Sequence, residues 1–192
     1  LERARAAHRR APGLAPATAI LAELHFAEGR AGAAAKAIEA TWAVAPHPDL
    51  ARIYVAAETD ALARLKRLEH LVQRNPDHVE SRLAVADAAI TAGLWGEARR
   101  WLRPLETGRA PARACRLLAA IELGEKDDMA TARAWLERAA ASGAPHAAWQ
   151  CDACRGIQDS WSATCHSCGA TGTLAWGEFS LPRVAGLIDA PR

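Results

Sequence analysis

No run of apolar residues in this chain reaches the roughly 20 needed to cross a bilayer, and no signal-peptide pattern precedes the folded part. As it stands the chain is expected to be soluble. Neither sign of charge predominates: 24 Lys and Arg stand against 22 Asp and Glu, so no large basic face is imposed and nucleic acid is not expected as a partner. β-branched runs that would make strands are nearly absent from residues 1 to 145. The usual catalytic patterns are missing too. There is no Ser/His/Asp arrangement, no Gly-rich phosphate loop and no HExxH, and His8, His25, His47, His70, His78 and His146 are scattered without ligand spacing. The chain is therefore not expected to be an enzyme. Cysteine is scarce, five in 192 residues, yet four of the five form two CxxC pairs, which points to a reduced metal site and a reducing compartment, not a disulfide framework.

What is present is alanine. With 51% hydrophobic residues the chain can bury a real core, and one main body with a small appendage is expected. Amphipathic, Ala-rich stretches broken by Gly or Pro fill residues 1–145, and this part is expected to be helical throughout. Ala86 and Ala120 are 34 residues apart, as are Ala98 and Ala132, and this is the tetratricopeptide period. The same frame fits the first unit, with Ala22 and Ala34 at the small positions, Gly29 at the turn, Ile38 at an apolar position and Pro46 at the end. The stretch from Asp49 to Pro76 is about four residues short of the period and reads as a degenerate repeat. The expected architecture is all-α: a tetratricopeptide-like helical-hairpin solenoid over 1–145, with units of about 15–48, 49–78, 79–112 and 113–146. Small residues are needed where the two helices of a unit cross. Such a solenoid offers a groove lined by the first helix of each unit. In this frame Ala19, Glu23, Phe26, Leu83, Asp87, Ile90, Leu117 and Ile121 are expected to face it, making a protein-binding groove that is apolar with scattered acid. A carboxylate clamp is not expected, because the positions that would carry Lys and Asn hold Ala, Glu, Leu and Asp. An extended or helical apolar segment fits better.

After Pro145 the pattern changes to short polar and aromatic alternation, and a second module is expected over 147–180, followed by a tail at 181–192. Its cysteines, Cys151, Cys154, Cys165 and Cys168, follow a CxxC, ten-residue, CxxC spacing. Each CxxC turns two thiolates toward one metal, so the pair of turns is expected to supply a tetrahedral four-sulfur shell of the zinc-ribbon or rubredoxin-like kind. That shell has no open position for water, which argues against hydrolytic zinc. Gly169 suits the positive-φ position after the second knuckle, and Arg155 stands at the equivalent place after the first. Zinc is the favoured metal. Iron is the alternative, and would make the module a rubredoxin-like electron-transfer centre. His166 is expected to be a solvent-facing spacer, and Trp149, Trp161 and Trp176 to pack a small core. Cys115 is expected to be a buried, inert thiol. Asp127 and Asp128 are expected to cap a helix starting at Met129. Arg3, Arg5, Arg9 and Arg10 form a solvated helix face that a membrane surface could use.

The stretches NPDHVESRLAVADAAITAGLWGEARRWL, TARAWLERAA and AWQCDACRGIQDSWSATCHSCGATGTLAW together resemble the C-terminal part of alphaproteobacterial HemY-type proteins, best from about Leu62 to Trp176. The resemblance implies an inner-membrane, tetratricopeptide-containing protein associated with late haem (protoporphyrin) biosynthesis. Its repeats would lie on the cytoplasmic face behind an N-terminal anchor that this chain does not include. The opening LERARAAHRR reads accordingly as the end of a helix, so the chain is expected to be a fragment of something longer. The resemblance implies a non-enzymatic scaffold whose partners are proteins, haem-pathway enzymes among them, with the four cysteines as its metal ligands. Whether haem itself binds is left open, since no axial histidine pair is apparent. A neighbouring resemblance is to the lipopolysaccharide-assembly regulatory proteins that join repeats to a rubredoxin-like knuckle.

Overall fold

Helix-forming runs of Ala, Leu, Glu and Arg are interrupted at short intervals by residues that stop a helix, and the chain doubles back at each stop. The computed structural model describes residues 1–108, 110–141 and 146–179. Within them lie α1 (Glu2–Arg10), α2 (Ala15–Ala27), α3 (Ala31–Trp42), α4 (Pro48–Tyr54), α5 (Ala61–Val72), α6 (Val79–Thr91), α7 (Trp95–Leu102), α8 (Ala112–Lys126) and α9 (Met129–Ala140). Gly29 and Gly93, at φ of +70° and +71°, end α2 and α6 in the left-handed conformation. The turns are closed by the Arg30 N–H donating to His25 O and the Leu94 N–H to Ala89 O, both at 2.8 Å. Asp60 and Asp128 cap α5 and α9 through the amides of Ala63 and Thr131. Asp127 does not cap α9 but is the C-cap of α8, at a positive φ of 53°.

The body is mostly helical. α2 packs on α3, α4 on α5, α6 on α7 and α8 on α9, and the first helices lie side by side in the order α2, α4, α6, α8. Ala22, Ala34, Ala86 and Ala98 are fully buried and Ala132 nearly so, whereas Ala120 is only half-buried. α6 is central, touching α4, α5, α7 and α8, and accordingly buries residues on most of its circumference. Side-chain bonds tie separate hairpins together. Trp42 Nε1 donates to Ser81 Oγ at 2.9 Å, which donates in turn to Asn75 O at 2.6 Å. The Tyr54 hydroxyl donates to Glu39 at 2.8 Å.

Past the helices the chain forms a small antiparallel sheet, β1 (His146–Cys151), β2 (Ile157–Gln158) and β3 (Leu174–Phe179), in the order β2-β1-β3. Trp149 and Trp176 are directly paired across β1 and β3. The expected boundary at Pro145 and the expected tail at 181–192 lie outside the described residues. Among the described residues no helix is long and apolar enough to cross a membrane.

Candidate metal centre and the seam beside it

The two CxxC turns have the same backbone bonds. In the first, the Cys151 N–H donates to Gly156 O at 2.9 Å and the Arg155 N–H to Cys151 O at 2.8 Å. In the second, the Cys165 N–H donates to Ala170 O at 2.8 Å and the Gly169 N–H to Cys165 O at 2.9 Å. This shared turn needs a left-handed residue at its end, and both positions supply one: Gly169 at φ +75° and Arg155 at φ +62°. The first knuckle thus keeps the geometry with a side chain where glycine is easier.

The four sulfurs lie within 4.8 Å of one another, Cys151 to Cys168 at 3.8 Å and Cys154 to Cys165 at 3.7 Å. A tetrahedron with metal–sulfur bonds of about 2.3 Å has edges of about 3.8 Å, so the site fits a single four-coordinate ion. Zinc and iron meet that geometry equally, and the described geometry selects neither. Cys151 and Cys165 are buried, Cys154 and Cys168 exposed. The Thr173 hydroxyl, 3.1 Å from Cys151 Sγ, together with the amides of Cys154 and Ala153, pulls the Cys151 thiol down to about 6. Cys154 accepts from the Gly156 amide, which favours its thiolate, but the neighbouring thiols push it up to about 12. Four sulfurs this close do not all ionise without a cation among them, and binding one releases protons. His166 is exposed, while its amide donates to Gln158 Oε1 at 2.8 Å. Gln158 also donates to Ser160 O and Ser162 Oγ, so one buried amide fastens the loop between the knuckles. Spacing drew no attention to it, because glutamine is not a ligand type.

Trp149 and Trp176 do more than fill a core within the ribbon. Their rings, 5.4 Å apart, close on His47, which sits between α3 and α4 at 5.4 Å from Trp149 and 4.3 Å from Trp176. The ribbon therefore lies back against the helical body. His47 is 4% exposed, and its Nδ1 accepts from the Asp49 amide to cap α4. A neutral ring then carries its proton on Nε2, which is buried and has no partner among the described residues. Burial pushes this histidine down to about 4, against the opposing pull of Asp49 at 3.7 Å. His78 caps α6 in the same manner through the Glu80 amide, and both histidines line a cavity of about 650 Å³ between ribbon and helices. The triplet His47-Pro48-Asp49, a cap followed by Pro at the first helical turn, was the available signal for His47. Its long-range partners were not readable. Cys115 is buried, its thiol pushed up by burial.

The expected groove residues separate. Leu83 and Ile121 are 2% and 0% exposed and belong to the core, a correction that follows from α6 and α8 being packed on several sides. Ala19, Phe26, Ile90 and Leu117 are half-buried against that core. Asp87 is exposed and lines an open cleft of about 360 Å³ between α4, α5 and α6, with Arg52, Arg64 and Arg113 among its other walls. Ala19 and the exposed Glu23 line a different cleft, which the ribbon shares.

Over 157 residues the chain is 36% identical to a protein of Magnetospirillum gryphiswaldense named "Probable magnetosome protein Mms48". The match takes in 78% of this chain and 34% of that protein, so the chain spans about a third of its relative's length. No family model and no solved structure matches the chain. The HemY-type resemblance is thereby overturned, and with it the link to haem biosynthesis: the relative carries a magnetosome name. The tetratricopeptide label, which came with that resemblance as well as from the spacing, gains no support from the comparisons.

Proposed function

We propose that this chain is a non-enzymatic interaction module, a solenoid-type stack of helical hairpins that holds partner proteins, with a ribbon whose four cysteines bind structural zinc. The observation that carries the reading is the row of first helices, α2, α4, α6 and α8, which leaves the α4–α6 cleft open with Asp87 at its edge. Stacked hairpins characteristically use such a face for binding. A photo-crosslinking residue placed at Asp87 or Thr91 is expected to yield a discrete protein adduct in source cells, whereas Lys36 on α3 yields none. Equal adducts at all three positions, or none, would overturn the scaffold reading.

The relative's name is the pointer to a setting, and we extend a magnetosome setting to the longer protein. A place on the cytoplasmic face of a bacterial membrane is part of the same proposal. Fractionation of the full-length protein tests both, and recovery away from magnetosomes and membranes would refute them. A second reading, rubredoxin-like electron transfer, draws on the exposure of Cys154 and Cys168, which brings a bound ion near the surface. Metal analysis separates the two: one zinc and no colour supports the structural site, and stoichiometric iron with a red protein supports electron transfer.

A further inference from the structure

The second cleft at the seam, about 430 Å³, is bordered by α2, α4 and the ribbon, and its walls combine indoles with carboxylates. Trp149 is buried, and Trp161 and Trp176 are half-buried. Glu23 comes from α2, Asp49 from α4 and Asp159 from the loop after β2, all exposed. Among the described residues Glu23 and Asp159 have no ion-pair partner, and Arg52, the one cation of the lining, stands 3.9 Å from Asp49. His47 forms part of the same wall.

The geometry points to this cleft as a docking site for a basic segment of a partner protein, taking the guanidinium or ammonium of an Arg or Lys side chain. Two features drawn from separate elements favour the same ligand. An indole face attracts a cation through its quadrupole, and the attraction grows as water is excluded. Three carboxylates against one arginine give the opening the complementary charge. An acidic ligand meets repulsion there, and a purely apolar one would cover Glu23 and Asp159 without compensating them. His47 Nε2, which has no partner among the described residues, lies beneath the indoles of this wall and out of the ligand's direct reach. The inference rests on the scaffold reading and names one partner chemistry for it. It also assigns Ala19 and Glu23 a binding surface made jointly with the ribbon.

The test is titration of the metal-loaded chain with a hexa-arginine peptide, followed by the indole N–H resonances of Trp161 and Trp176, with a hexa-glutamate peptide as comparison. Saturable shifts are expected with hexa-arginine alone. The double variant Glu23→Gln, Asp159→Asn is expected to weaken binding about tenfold. A control pair far from the cleft, Glu2→Gln with Glu137→Gln, should change it by less than about twofold. Equal weakening by both pairs, unchanged binding in the cleft variant, or shifts with hexa-glutamate would overturn the site. If hexa-arginine fails to bind while Asp87 and Thr91 still crosslink a partner, this site falls and the scaffold reading stands. If the crosslinks are lost while hexa-arginine still binds, the scaffold reading falls and this site stands.

Discussion

His47 uses its two nitrogens for different purposes: Nδ1 caps the start of α4, while Nε2 sits under the ribbon's indoles. Because the folded state holds the imidazole down to about 4 against an ordinary value of 6.5, it favours the neutral ring. The unfolded chain takes up a proton first as pH falls, so the contribution is fully present above 6.5 and is lost between 6.5 and about 4, with an upper limit of about 3 kcal/mol. Tryptophan fluorescence is expected to report a loosening seam across that window. His47→Asn keeps an acceptor for the cap and does not titrate, so it should flatten the profile; an unchanged profile would place the titration elsewhere. Arg155 offers a second test. A side chain in the left-handed region costs about 1–2 kcal/mol, and glycine's extra freedom in the unfolded chain returns about 0.5–1. Arg155→Gly should therefore raise the stability of the metal-loaded ribbon by roughly 0.5 kcal/mol, while Gly169→Ala lowers it by about 1. Thermal melting of the loaded protein checks both directions. Sequence foretold the conformation at Gly169 because glycine advertises it. Arg155 concealed the same conformation, and only the matching backbone bonds reveal it.

Helix crossings in the body depend on alanine. Ala98 is fully buried on α7, and Ala98→Leu should overpack the α6–α7 contact at a cost of about 1–3 kcal/mol, measurable as a lower denaturation midpoint. A polar tie joins α7 to α8: Arg99 donates to the buried Glu122 at 2.7 Å and to Glu125 at 2.6 Å. Removing the guanidinium leaves Glu122 with Lys126 at 3.8 Å, so Arg99→Ala should cost about 2–3 kcal/mol. Arg99 holds the Glu122 carboxyl below its ordinary value of 4.5, so this contribution is present above that value and fades as pH falls beneath it. A variant whose deficit were the same at pH 7 and pH 3 would contradict that origin. Such helix pairs were legible because small residues recur at fixed spacing and Gly29 and Gly93 mark the turns. Which side of a first helix remains open was not. Leu83 and Ile121 fit the periodic frame of a groove face, but α6 and α8 have neighbours on several sides, and those two side chains point into them. Periodicity identifies an apolar stripe without saying what covers it. The short α4 has the same lesson: seven residues mark the departure from the period and Pro48 marks its start, while the contacts of its capping His47 with the ribbon indoles became visible only in three dimensions.

The metal site and the helical body are coupled through the seam, which gives the whole molecule a graded response to metal removal. A ribbon with so few strands cannot bury enough apolar surface to persist on its own, so loss of the ion should unfold it. The body has an independent core, from Ile38 and Trp42 through Leu83 to Ile121, to which the ribbon contributes none of its described residues. Chelation is therefore expected to leave the helical circular dichroism nearly intact while the tryptophan emission shifts to the red and His47 becomes accessible. The same split should follow from Cys151→Ser with Cys165→Ser, which removes the two buried sulfurs and leaves the exposed pair. Acid should mimic chelation, since the ion competes with protons for the thiolates and retention falls as pH drops. Three outcomes distinguish the arrangements. If the chelated protein keeps its full melting temperature and blue emission, the ion is not structural. If helicity collapses with the ion, ribbon and body form one cooperative unit and the separate core does not suffice. If helicity stays and only the ribbon melts, hexa-arginine binding at the seam should vanish with it, because Trp161, Trp176 and Asp159 leave the cleft together while Glu23 remains behind on α2.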